Sequence, residues 1–157
     1  MKQAVATLVI LVAGSLGCAP QPACESGDAA ELVMGGGLEE FVPFEGAPTL
    51  DLVYGPQGGV HVEVSLLATG LDAGEPWRTE VQGFQSGVAV GASLETLPQP
   101  TCRDDGNGAE VTGLRLIFED WVRPGDFDEP IEIVAEATDG NQRVAQARES
   151  SVQVVVP

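Results

Sequence analysis

Basic residues are almost missing from this chain. Seven stand against 24 acids in 157 residues, for a formal net charge of −17, and the only lysine is Lys2. A surface of that charge repels phosphate, which excludes nucleic acid as a partner. It also has no basic patch with which to hold an anionic bilayer, so any membrane attachment must be covalent. Aromatic residues are scarce, at 5%, which leaves Val, Leu, Ile and Ala to fill the core. Histidine occurs once, as His61, and cysteine three times. No CxxC pair, phosphate loop, dinucleotide fingerprint, G-x-S-x-G elbow or internal repeat is found, and no cofactor is expected. No apolar run reaches the ~20 residues that a membrane-spanning helix requires.

What is present describes a folded body. Hydrophobic residues make up 43% of the chain, too many for a disordered acidic segment, and the length suits one domain. Twenty glycines and eleven prolines imply many turns. From Leu38 on, the apolar period is two, and no stretch keeps an i, i+3, i+4, i+7 face. The clearest strand is "VHVEVSL", with Val60, Val62, Val64 and Leu66 on one face and His61, Glu63 and Ser65 on the other. Leu50–Tyr54 suits a partner strand, with Gly55–Gly59 as the hairpin loop. Further strands are expected over Glu39–Phe44, Arg78–Phe84, Val88–Leu94, Leu114–Phe118, Ile131–Thr138 and Val152–Val156. The Asp139-Gly140 turn signal should fold Ile131–Thr138 back onto the stretch from Gln142 to Val156.

The first 17 residues read as an export signal. Lys2 supplies a positive charge, and the run Ala4–Leu16 has the length of a secretory h-region. "Ser15-Leu16-Gly17-Cys18" resembles the lipobox of bacterial lipoproteins, although Ser15 stands where that family usually carries Leu. The resemblance implies a thioether-linked diacylglycerol on Cys18, cleavage before it, and often acylation of the new amino terminus. Ala19 follows Cys18, where an aspartate would imply retention in the inner membrane. The implied address is therefore the outer membrane, if the cell has one. Ordinary cleavage after Ser15 is the competing route, since Ala13 and Ser15 form an A-x-S pattern. Cysteine arithmetic favours lipidation: with Cys18 modified, Cys24 and Cys102 can pair and no thiol is left over. The small, polar, Pro-containing residues after Cys18 have the composition of a tether. These signals divide the chain into a signal peptide (1–17), a lipidated terminus and flexible tether (18–37) and a β-domain (38–157).

Seven or eight short strands with regular turns predict an all-β, antiparallel sandwich. The closing stretch from Ile131 to Val156 resembles the last two strands of bacterial immunoglobulin-like domains, which implies that fold for the whole body. The Cys…Trp…Cys spacing of antibody-type domains is absent.

Few residues offer chemistry. His61 has neither a nucleophile nor an orienting partner in its neighbourhood, so an exposed or hydrogen-bonded strand residue is the expected role. Asp104 and Asp105 stand in one loop with Asn107, and Glu119, Asp120, Asp126, Asp128 and Glu129 stand around another. Asp104, Asp105, Asp126 and Asp128 are calcium candidates by residue type, but no EF-hand spacing is present and acids are frequent everywhere. "YGPQGGVH" reads as a wide hairpin before it reads as a binding loop. Trp77 and Trp121 lie at strand edges, where half-buried packing is expected. The expected function is a non-catalytic binding, adhesion or structural role in the cell envelope, with a protein or glycan partner. The alternatives are an envelope hydrolase using acidic loop residues and a calcium-dependent interaction module.

Overall fold

Ile131, Ile133, Ala135 and Ala137 are buried and alternate with partly exposed Glu132, Val134 and Glu136. That alternation repeats through the computed structural model, which describes Cys24, residues 29–56 and residues 59–157. The strands are β1 (Glu31–Gly36), β2 (Val42–Pro43), β3 (Thr49–Asp51), β4 (Val53–Tyr54), β5 (Val60–Thr69), β6 (Arg78–Gln85), β7 (Val88–Ala92), β8 (Thr101–Cys102), β9 (Ala109–Phe118), β10 (Ile131–Thr138) and β11 (Val144–Val155). One 3-10 turn, Pro124–Asp128, precedes β10, and no α-helix occurs among the described residues.

The strands form one curled, mixed sheet in the order β2-β1-β5-β9-β7-β6-β10-β11-β3, with β4 on β5 and β8 on β9. Every pairing is antiparallel except β11 with β3, where Gln153, Val154 and Val155 run alongside Thr49, Leu50 and Asp51. The curl brings β1 against β11 and encloses a core of aliphatic side chains with Trp77, Phe118 and Phe127. The half containing β5 and β9 joins the half containing β6 and β10 through a short pairing, Gly91 with Phe118 and Ala92 with Ile117.

Two bulges let long strands keep one face inward. In β9 the buried residues are Ala109 and Val111, then Leu114, Leu116 and Phe118. The switch from odd to even positions occurs where Thr112 and Gly113 together face Ser65 of β5, and Gly113 takes a φ of 68° there. That left-handed conformation suits glycine and accompanies the β-bulge. In β11 the inward set passes from Ala145 to Val152 and Val154, across a register shift that sets Ser150 and Ser151 opposite Glu132.

Several expectations are corrected. Among the described residues eleven strands replace seven or eight, one pairing is parallel, and the strand expected over Glu39–Phe44 shrinks to Val42–Pro43. The boundary at Leu38 moves forward, because Glu31–Gly35 pairs with Ser65–Thr69 of β5 and buries Leu32 and Met34. This part of the supposed tether belongs to the sheet. Leu50–Tyr54 is split: β3 joins β11, whereas β4 pairs with β5 through Val53↔His61 and Tyr54↔Val60. The Gly55 N–H donates to the Gly59 carbonyl at 2.7 Å at the base of that hairpin.

Candidate functional site

Cys24 and Cys102 are joined, with Cα atoms 5.4 Å apart. Cys102 sits in β8, paired with Ala109 at the start of β9, so the bond fixes Cys24 to one end of the sheet. It closes a separation of 78 residues, a constraint on the unfolded chain of roughly 4 kcal/mol. Cys18 lies outside the described residues.

The loop that follows Cys102 is short and internally bonded. The Arg103 N–H donates to the Gly108 carbonyl at 3.1 Å, and the Asn107 N–H donates to Asp105 Oδ1 at 3.0 Å. Arg103 reaches Glu110 Oε2 at 3.3 Å and Asp105 Oδ1 at 3.5 Å. The Asp105 carboxyl is held below the ordinary carboxylate range, mainly by the Asn107 backbone N–H. Partial loss of water works the other way, and the Asn107 side chain and the Arg103 guanidinium add to the lowering. Glu110 also accepts from the Phe41 N–H at 3.3 Å. This ties down a strap, Gly37–Phe41, that crosses β5; Ser65 Oγ donates to the Gly37 carbonyl at 2.6 Å beneath it. A polar hollow of about 360 Å³ lies beside the disulfide, lined by Phe41, Cys102, Arg103, Asp104 and Glu110 among others.

The four aspartates weighed for calcium do not converge. Asp104 and Asp105 lie next to the start of β9, while Asp126 and Asp128 lie in the 3-10 turn after its far end. In that turn Asp126 is engaged locally, accepting from the Arg123 N–H at 2.6 Å. No group of three or more His, Cys, Asp or Glu residues placed to hold a metal ion occurs among the described residues. The acids of the hydrolase alternative are split between the same two ends.

His61 is largely covered. Its side chain is 12% exposed, and its Nε2 lies 3.9 Å from Glu63 Oε1, which also faces Arg115 Nε at 3.9 Å. The two tryptophans diverge. Trp77 is fully buried and donates from Nε1 to the Asp72 carbonyl at 2.7 Å, whereas Trp121 is 54% exposed.

Sequence reasoning missed Asp139 as a buried group. It is 2% exposed and accepts from three backbone N–H groups, those of Asp72, Asn141 and Arg143, each at 2.9 Å. Its place in the Asp-Gly turn was the available signal, since Asp side chains commonly bond backbone just ahead of them. The bond to Asp72, 67 residues away, had none.

Two grooves are larger than the hollow at the disulfide. One, of about 580 Å³, runs under Leu38, Val42 and Phe44 and carries Glu45, Asp51 and Glu63. The other, of about 480 Å³, lies between Leu94 and Leu97 and the outer side of β9 at Ile117. No described helix is long and apolar enough to cross a membrane. No protein-family model and no curated protein matches the chain.

Proposed function

We propose that this is a lipid-anchored cell-envelope protein whose small all-β body has a non-catalytic role in binding, adhesion or support. The observation that carries the reading is the Cys24–Cys102 bond. Of three cysteines, it leaves Cys18, at the end of the lipobox-like stretch, as the one outside the pair. A disulfide of this kind belongs to an oxidising compartment, which agrees with export. The surface charge agrees as well, since a body with six arginines and no lysine after Lys2 cannot hold an anionic bilayer by itself. Acylation by two or three chains would hold it firmly.

The same reading takes the curled sheet as an elaborated immunoglobulin-like sandwich. One layer would be β2, β1, β5 and β9, and the other β7, β6, β10, β11 and β3. The expected partners are an envelope protein or glycan, and the expected address is the outer membrane where the cell has one.

The test is the Cys18→Ser variant expressed in the native host. It should leave the membrane fraction while its disulfide and folded body persist. Retention of C18S in the membrane fraction at the wild-type level would end the lipid-anchor reading.

A further inference from the structure

We propose that the disulfide end of the sheet is the face turned toward the lipid surface, in a pose fixed by the Cys24–Cys102 bond and dependent on the anchor at Cys18 proposed above. Cys24 lies six residues on from Cys18, and extended chain spans at most about 3.3–3.6 Å per residue, so the leash is no longer than ~22 Å. β9 starts beside Cys102 and runs ten residues from Ala109 to Phe118, and β5 beside it has the same length. Ten residues of strand rise by roughly 33 Å. For the far end to meet the bilayer, the bonded end would have to stand off by about that rise. The leash is too short for this. The body can tilt or lie on its side, but it cannot turn over.

The bond is what makes the leash short. Without it, the first residue paired in the sheet among the described residues is Glu31, in β1. That lies thirteen residues from Cys18, a reach of about 43–47 Å that would let either end face the lipid. The charge pattern does not set the pose, since acids lie at both ends, Glu119, Asp120, Asp126, Asp128 and Glu129 following β9 at the far one. Asp72, Glu75, Asp104 and Asp105 lie in the loops of the bonded end, so an anionic bilayer would hold that end off within the limit of the leash. Trp121 and Val88, 54% and 57% exposed, lie at the opposite end and face outward.

The two tryptophans report the pose. Trp77 precedes β6 and its backbone N–H donates to the Pro98 carbonyl at the bonded end; Trp121 follows β9 at the other. The full lipidated protein would be reconstituted into phosphatidylcholine vesicles containing dansyl-headgroup lipid, and energy transfer from tryptophan measured on the co-floating fraction. Trp121→Phe, at an exposed position, leaves Trp77 as the donor. Mean transfer efficiency per tryptophan should then rise about two-fold, because roughly 33 Å of strand rise puts Trp121 largely out of range. Inserting a twelve-residue Gly/Ser segment between Gln21 and Pro22, with the disulfide kept, should abolish the rise. Unchanged or lower efficiency in W121F overturns the pose while leaving the anchor intact, and a rise that survives the insertion overturns the leash as its cause. Protein that carries no acyl mass and fails to co-float overturns the anchor and the pose with it.

Discussion

Asp139 is the side chain on which two distant loops close. Its carboxylate takes N–H groups from its own turn and from Asp72, while Asp72 accepts from Asn141 Nδ2 at 3.1 Å and from the Gly74 N–H at 2.8 Å. Trp77 hangs on the Asp72 carbonyl in the same cluster. Removing the Asp139 carboxylate would leave three donors without this acceptor, and a buried donor left unsatisfied costs about 1–3 kcal/mol. Asp139→Ala should therefore lose about 2–4 kcal/mol of stability, read as a drop in melting temperature of roughly 10 °C. Asp139→Asn keeps one acceptor oxygen and should lose less. A melting curve for D139A within a degree or two of wild type would show that the cluster does not bind the loops.

Strands were legible where the period of two ran unbroken. β10 has the expected bounds and buries the expected face of Ile131 and Ile133, and β5 buries Val62, Val64 and Leu66 as its alternation predicts. β9 and β11 read short in the sequence because each contains a bulge that moves the apolar residues from odd to even positions. A period-two template stops at such a step. β1 was hidden by its setting: Leu32 and Met34 give only two apolar inward positions before three glycines, and the partner strand lies some thirty residues further on. The parallel pairing of β3 with β11 had no signal either, since alternation carries no direction. As for the site, the disulfide was legible from cysteine count, whereas the separation of Asp104 and Asp105 from Asp126 and Asp128 depends on topology.

The junction of the two halves depends on a close approach. At Gly91 a Cβ would lie 2.6 Å from the Ile117 carbonyl oxygen and 3.1 Å from Phe118 Cα, both backbone atoms that cannot swing aside. Below this contact Phe118 meets Phe127 edge to face, with ring centroids 4.7 Å apart. Gly91→Ala should force β7 and β9 apart and cost about 1–3 kcal/mol. Amide exchange should quicken first along the β7–β9 pairing and leave β10–β11 protected. Wild-type exchange at Glu119, whose N–H donates to the Val90 carbonyl at 2.9 Å, would contradict this account of the closure.

At the scale of the whole molecule, charge and tether describe the same condition. A body with 24 acids and a single lysine, Lys2, is repelled by anionic surfaces, so the envelope location proposed above requires a covalent anchor. With the proposed anchor at Cys18, the Cys24–Cys102 bond would determine which end of the body faces the lipid. Mass spectrometry of the protein purified from its native host tests the central claim most directly. The account predicts a chain that starts at Cys18, carries diacylglycerol on that residue and holds Cys24 and Cys102 joined. A chain that starts at Met1 or Leu16 with an unmodified Cys18 thiol would contradict it.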